Sequence, residues 1–375
     1  MGQVVTDAFW QGRRVFLTGH TGFKGSWMTL WLSSLGAEVF GYALPPEGDQ
    51  TLFDTTGAAE LCHHTIGDIR DAEHLRRALA SSQAEVVIHM AAQPLVLRSY
   101  EDPVETYATN VMGTVHLLEA VRATPSVKSV VVITTDKCYE NREWIWGYRE
   151  DDPMGGYDPY SSSKGCTELV VSAYRRSFLM KPGHERQVAI ASARAGNVIG
   201  GGDWARDRLV PDIMAALMEG RRPLLRRPGS VRPWQHVLEP LRGYLMLVQD
   251  MAEGKADRAG AWNFGPGDDD HAPVVSVANR LCDLWGLTEG PVCLENNSQP
   301  HEASLLKLDC SKARIHLGWT PRWDLDAALG NIVAWYRAYQ AGEDMRAVTM
   351  AQIATYTNAQ AAPVSLENRM VKCLS

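Results

Sequence analysis

The chain has 375 residues, enough for two or three domains at roughly 150 residues each and for a core that needs no disulfide staples. An apolar share of 45% and a charged share of 22% are ordinary for a globular protein and exclude disordered and low-complexity classes. Lys plus Arg is 37 against 44 Asp plus Glu, a formal net charge of −7. That excludes a broad basic surface for nucleic acid, so an anionic ligand must be held by local cations.

The seven cysteines (Cys62, Cys138, Cys166, Cys282, Cys293, Cys310 and Cys373) are odd in number and form no C-x-x-C pair. Neither a disulfide framework nor a metal site is expected, and a reducing, cytoplasmic compartment fits. Arg13 and Arg14 interrupt the N-terminus before a signal-peptide core can form. No run approaches the roughly 18 apolar residues of a membrane helix.

In chain order, Val15-Phe16-Leu17 reads as a short buried strand ending in a Gly-rich turn. Trp27, Leu30, Trp31 and Leu35 follow at helical spacing, with Gly36 as the stop. Glu38 to Leu44 reads as a second strand, and Asp71 caps a helix carrying Leu75 and Leu79. Val86 to Met90 is a third apolar run. Residues 103–123 are helical, Val130 to Ile133 form another strand, 161–179 are helical and 188–194 a strand. Continuous apolar strands between helices indicate a parallel sheet covered on both faces. The expected fold is α/β, a doubly wound Rossmann-type parallel sheet with a smaller mixed C-terminal substrate domain.

The expected division gives residues 1–195, with returning segments near 236–264, to a dinucleotide-binding domain. Residues 196–235 and 265–345 go to the substrate-binding domain, and 361–375 to a frayed tail. Within 265–345, Asn331 to Gln340 reads as a helix.

Gly19-His20-Thr21-Gly22-Phe23-Lys24-Gly25 is G-x-x-G-x-x-G between the first strand and the first helix. Such a turn brings backbone N–H groups and a helix N-terminus to a pyrophosphate. The end of the second strand carries no acid for a ribose; Glu47 comes two or three residues late. That leaves NAD against NADP open, though the lack of an arginine there favours NAD. Asp68, followed by Ile69, suits an adenine contact, and a helix cap accounts for it equally well.

Tyr160-Ser161-Ser162-Ser163-Lys164 is Y-x-x-x-K, which puts a phenol and an ammonium on one helix face. The ammonium is expected to lower the phenol's pKa and make a base for an alcohol proton. Thr134-Thr135-Asp136-Lys137 ends a buried strand, where ligands bind in open α/β sheets. A hydroxyl, a carboxylate and an amine in succession suggest chemistry beyond hydride transfer.

With these motifs, the chain resembles the extended short-chain dehydrogenase/reductase family over nearly its whole length. His89-Met90-Ala91-Ala92-Gln93-Pro94, Gly196 to Trp204 and Arg232-Pro233-Trp234-Gln235-His236-Val237 narrow the resemblance to its CDP-glucose 4,6-dehydratase branch. Relatives acting on dTDP-glucose read Thr-Asp-Glu where this chain has Lys137, which marks the branch. The resemblance implies bound NAD and an internal redox cycle on CDP-glucose, giving CDP-4-keto-6-deoxyglucose for a surface-polysaccharide deoxysugar such as that of an O-antigen. It implies Tyr160, Lys164 and Thr135 at C4, Lys137 as base at C5 and Asp136 as acid on the C6 hydroxyl. A lysine is a poor base at neutral pH unless its surroundings lower its pKa.

Gly19, Thr21, Gly22, Phe23, Lys24, Gly25, Asp68, Ile69, Ala91, Ala92, Tyr160 and Lys164 are the expected cofactor residues. Gln93, Asn197, Arg208, Arg232 and Trp234 are the expected substrate residues. Arg221, Arg222, Arg226 and Arg227 are read as a solvated loop. For Trp204 and Trp234, a pocket and a core role are equally supported. A homodimer or dimer of dimers is implied through helix 103–123 and the helix after Tyr160. The rival readings are an epimerase or reductase acting on another nucleotide sugar, and an inert dinucleotide sensor.

Overall fold

The computed structural model describes residue 5 and residues 7–183, 186–267, 270–294 and 305–359. The tail expected at 361–375 lies outside the described residues. The strands are β1 (Arg14–Thr18), β2 (Glu38–Ala43), β3 (His63–Ile66), β4 (Val86–His89), β5 (Ser129–Ile133) and β6 (Ala189–Ala195). They continue as β7 (Asn197–Ile199), β8 (Leu224–Leu225), β9 (Val231–His236), β10 (Gly260–Phe264), β11 (His271–Pro273) and β12 (Val292–Cys293).

Seven of them form one parallel sheet in the order β10-β6-β5-β4-β1-β2-β3. The order reverses between β1 and β4, the switch point at which such sheets open a crevice. Strand alternation fills both faces. Val15, Leu17, Val131 and Ile133 join one core with Trp27, Trp31, Leu241 and Leu245. Phe16, Val130 and Val132 join the other with Leu75, Leu79, Leu117 and Val171. A sheet buried on both faces needs the unbroken apolar runs seen in β4 and β5. The doubly wound fold expected from the alternating pattern is the fold observed.

Local signals act where expected. Helix Phe23–Ser34 buries Trp27, Leu30 and Trp31, and Gly36 follows it at φ +78°. Asp71 caps helix Ala72–Ser82 by accepting from the His74 N–H at 3.0 Å. The stretch 103–123 runs as Pro103–Tyr107, a π-helical turn Ala108–Met112 and Gly113–Ala123.

The second half holds a three-stranded sheet, β11-β9-β7, and the pair β12-β8. Helix Leu238–Ala252 is buried from Leu238 to Met251. Asn331 to Gln340 belongs to the longer helix Leu325–Gln340, and helix Met345–Asn358 follows it. The Tyr336 hydroxyl donates to the Asp203 carbonyl at 2.6 Å, which braces one wall of the crevice. The Tyr356 hydroxyl donates to Glu239 at 2.6 Å, which pins the last helix to helix Leu238–Ala252.

Candidate active site

The crevice begins at the switch point. Thr18 Oγ1 lies 2.7 Å from His89 Nδ1, and His89 Nε2 lies 3.1 Å from Thr114 Oγ1. Burial, with Lys164 nearby, takes the His89 pKa down to about 3, so a neutral ring joins the ends of β1 and β4 to helix Gly113–Ala123. The N–H groups of Met90 and Ala91 donate to Thr18 Oγ1 and bring the two strand ends together.

The Gly-rich turn needs its glycines for space. Gly19 has φ +76°, and a Cβ there would sit 2.7 Å from the Ala91 nitrogen. A Cβ on Gly25 would sit 2.0 Å from the Gly19 carbonyl oxygen. Gly22 meets nothing closer than 3.5 Å and precedes helix Phe23–Ser34, which no side chain caps. The first N–H groups of that helix are thus left to a ligand, which fits a dinucleotide pyrophosphate. Glu47 is 86% exposed and paired with Arg98 at 3.2 Å, at the mouth rather than on the strand end. The Asp68 carboxylate is held by Arg70, whose hydrogen bonds keep its pKa low. Ile69 packs beneath it against Gly113.

Across the crevice, Asp158 caps helix Pro159–Tyr174 by accepting from the Ser161 N–H at 2.9 Å. This sets Tyr160 and, one turn later, Lys164 on the crevice face. Lys164 Nζ donates to the Ile133 carbonyl at 3.3 Å, at the end of β5. Thr135, Asp136 and Lys137 follow that end, and the Thr135 hydroxyl donates to Asp136 at 3.0 Å. Asp136 is 2% exposed. Burial raises its pKa against the pull of Lys137 and Arg232, so its carboxyl takes up a proton more readily than a surface aspartate. A Cβ on Gly196 would lie 3.0 Å from Asp136 Oδ2; the glycine lets the two segments meet.

The expected softening of Tyr160 by Lys164 is not what the protein alone provides. Burial pushes the Tyr160 phenol up to about 12, against the lowering effects of Thr135 and Arg208. Lys164 is itself pulled down to about 8 by burial, although Glu168 opposes this. Desolvation of the phenolate outweighs the neighbouring groups.

Gln93 stands apart from the other expected substrate residues. Its side-chain nitrogen donates to the Leu95 carbonyl and to Thr106, and its oxygen accepts from the Leu95 N–H. The amide is used within its own loop, because the backbone turn at Pro94 needs those partners, and it does not line the crevice. Every other residue expected at the site lines one continuous cleft: the turn residues, Asp68, Ile69, Ala91, Ala92, Thr135, Asp136, Lys137, Tyr160, Lys164, Asn197, Arg208, Arg232 and Trp234. The cleft measures about 1470 Å³. A drug-sized ligand fills roughly 300–1,000 Å³, so there is room for a dinucleotide and a second nucleotide together.

Sequence reasoning missed several residues. Asn110, in the π-helical turn, donates to the Gln93 carbonyl and to Ser163 and accepts from the Gln93 N–H. It locks the loop after β4 to the helix bearing Tyr160, and a π turn in a helix is the signal to look for. Arg206, Arg226 and Arg227 line the cleft, whereas Arg221 and Arg222 pair outside it with Glu219 and Glu289. Arg226 lines the cleft and is at the same time 43% exposed and paired with Asp207 at 2.9 Å, so the solvated reading stands for it as well. Arg208 pairs with Asp203 at 3.0 Å. Trp234 lines the cleft and donates to the Ala272 carbonyl. Trp204 packs instead against Trp335, Tyr336 and Tyr339 in the core.

Residues 16–265 match the family model described as GDP-mannose 4,6 dehydratase. The chain belongs to the GDP-mannose 4,6-dehydratase family. Within that family, it is 54% identical over 357 residues to a CDP-glucose 4,6-dehydratase of Salmonella typhimurium, covering 95% of this chain and 99% of the relative. A dTDP-glucose 4,6-dehydratase of Streptomyces griseus is 30% identical over 280 residues, covering 73% and 77%. Among solved structures, a dTDP-glucose 4,6-dehydratase from Streptomyces venezuelae with NAD bound superposes with TM-score 0.74. It is 25% identical and covers 89% of this chain and 99% of its own. A UDP-glucose 4-epimerase of Thermotoga maritima, 21% identical, superposes with TM-score 0.73 over 87% and 99% and shares the fold. The motifs that mark this GDP-mannose 4,6-dehydratase family member, the Gly-rich turn and the Tyr160–Lys164 helix, are those that face each other across the cleft.

Proposed function

We infer that the chain is an NAD-dependent hydro-lyase that converts CDP-glucose into CDP-4-keto-6-deoxyglucose. One observation carries the reading: an acid and an amine, Asp136 and Lys137, share the cleft of Tyr160 and Lys164, in a chain 54% identical to a CDP-glucose 4,6-dehydratase. An epimerase or reductase needs the second pair but not the first.

NAD, when bound, accepts hydride from C4 of the sugar and returns it at C6, so its chemistry closes on itself. The N–H groups after Gly22 hold its pyrophosphate, with Gly19, Thr21, Phe23, Lys24 and Gly25 shaping the turn. Asp68 and Ile69 take its adenine end, and Ala91, Ala92, Tyr160 and Lys164 its other end. Thr135 and Arg208 lower the Tyr160 pKa against the burial that raises it, and a positively charged nicotinamide bound beside the phenol would act in the same direction.

Tyr160 removes the C4 hydroxyl proton, with Thr135 beside the phenol and Lys164 supporting the phenolate. The resulting 4-keto group acidifies the proton on C5, and Lys137 takes it. Asp136 gives its proton to the departing C6 hydroxyl, so water leaves across C5–C6, and the proton held by Lys137 goes back to C5 as C6 is reduced. Its raised pKa suits that role, since the acid must hold its proton near neutrality. Asn197, Arg208, Arg232 and Trp234 hold the nucleotide sugar from the second wall, which is the substrate-binding lobe of 196–235 and 265–345.

The chain acts as a homodimer. Val104 is 77% exposed, Met112 47% and Tyr107 37%, and with Val111 and Cys166 they form an apolar face across helix Pro103–Tyr107, the π-helical turn Ala108–Met112 and helix Pro159–Tyr174, which also exposes Leu169. No described helix is long and apolar enough to cross a membrane.

The test is a panel of CDP-, dTDP-, UDP- and GDP-glucose, read by the base-induced ultraviolet band of a 4-keto sugar. The band is expected with CDP-glucose. Its absence with all four refutes the dehydratase, and its appearance only with another nucleotide reassigns the substrate.

A further inference from the structure

Lys24 is the second residue of helix Phe23–Ser34, on the cofactor side of the cleft. Its side chain lies in the field of the other side. It lines the same cavity as Asp136, Lys164, Asp203 and Arg208. Arg208 acts on its charge most strongly after burial, then Lys164, with Asp136 and Asp203 opposing them. Glu47, Asp68 and Arg98, which stand at the other end of the turn, are not among these groups.

Among the described residues, no carboxylate or carbonyl lies within ion-pair or hydrogen-bond distance of the Lys24 ammonium. Burial, Arg208 and Lys164 together pull its pKa down to about 8. Its neighbour Arg208 already has Asp203 at 3.0 Å. Lys24 is therefore a cation in the cleft, with Arg208 and Lys164 opposing its charge, Asp136 and Asp203 favouring it, and no anion in direct contact. Such a charge is costly in the empty cleft and becomes favourable when an anion binds.

We propose that Lys24 is a substrate-binding residue, reaching from the cofactor turn across the cleft to hold the diphosphate of the nucleotide sugar beside Arg208. The backbone of the turn then serves one nucleotide and this side chain the other. The two sites share an element, so an ordered substrate depends on an intact cofactor turn. The inference rests on the nucleotide-sugar reading above. A diphosphate also occurs in the dinucleotide, and the experiment separates the two sources.

Wild type, Lys24→Met and Lys24→Arg are titrated calorimetrically with CDP in the cofactor-loaded protein and with NAD⁺ in protein stripped of nucleotide. Losing one charge-assisted contact weakens CDP binding about 10- to 100-fold in Lys24→Met. Affinity for NAD⁺ is expected to stay within about threefold in that variant, and Lys24→Arg to recover most of the CDP affinity. A fall in NAD⁺ affinity as large as that for CDP, or unchanged CDP affinity, overturns the proposal. Wild-type binding of CDP tests the nucleotide-sugar reading; the ratio of variant to wild type tests Lys24. A wild-type chain that binds no CDP overturns both.

Discussion

Asp136 shows how one environment assigns a role to one carboxyl. It is almost fully buried, it accepts from Thr135, and burial outweighs Lys137 and Arg232 in setting its pKa above the ordinary range. An acid of raised pKa is active while protonated, so the rate of water loss should fall as pH rises through that pKa. Asp136→Asn keeps the shape but has no proton to give. Its turnover should drop about 10²- to 10⁴-fold, with reduced cofactor accumulating on the enzyme because oxidation at C4 does not use Asp136. Stopped-flow absorbance of the reduced nicotinamide is the check. A variant that turns over normally, or that never reduces its cofactor, contradicts this assignment. At this scale the sequence was informative for groups that line the cleft and poor for those that hold them in place. Tyr160, Lys164 and Asp136 stand in short motifs with fixed spacing. Gln93 stood in one too, but whether an amide faces a cleft or its own loop depends on Thr106 and Asn110, more than ten residues away.

Elements are joined beneath the site by one carboxylate. Glu168, one turn beyond Lys164, accepts from Thr134 at the end of β5, from Ser192 on β6 at 2.6 Å and from Arg194 at 2.8 Å. Burial alone would raise its pKa, but Arg194 and the hydrogen bonds outweigh this and hold it low. Both partners of the Glu168–Arg194 pair are 4% exposed. Glu168→Ala leaves a buried guanidinium unpaired, and a cost of about 3–5 kcal/mol is expected in chemical denaturation. A loss under about 1 kcal/mol would show that the helix is held in place by packing alone. The elements that were legible in the sequence, such as β4 and β5, carry their own evidence in unbroken apolar runs. β3 reads His63-His64-Thr65-Ile66, mostly exposed, and is a strand only because β2 offers it an edge. β10 likewise takes its form from pairing with β6, and helix Met345–Asn358 from Glu239 and its neighbours. Long-range pairing, not local pattern, decides such segments.

At the scale of the whole molecule, a net charge of −7 coexists with a cleft in which cations and acids are mixed: Lys24, Lys137, Lys164, Arg208 and Arg232 line it beside Asp68, Asp136, Asp203 and Asp207. An anionic ligand there depends on where the individual cations stand, not on a net positive field. Helix Pro159–Tyr174 carries both Tyr160, which lines the cleft, and the exposed Leu169, so the proposed dimer face would sit on the same element as the proposed base. Val104→Glu combined with Met112→Glu should convert a dimer into a monomer in light scattering. A wild type that is already monomeric contradicts the dimer. The central claim is an internal redox cycle, and it is tested most directly by the fate of one hydrogen. CDP-glucose deuterated at C4 should yield a 4-keto-6-deoxy product with the deuterium in the C6 methyl group. Deuterium retained at C4, or lost to solvent while product forms, would contradict it.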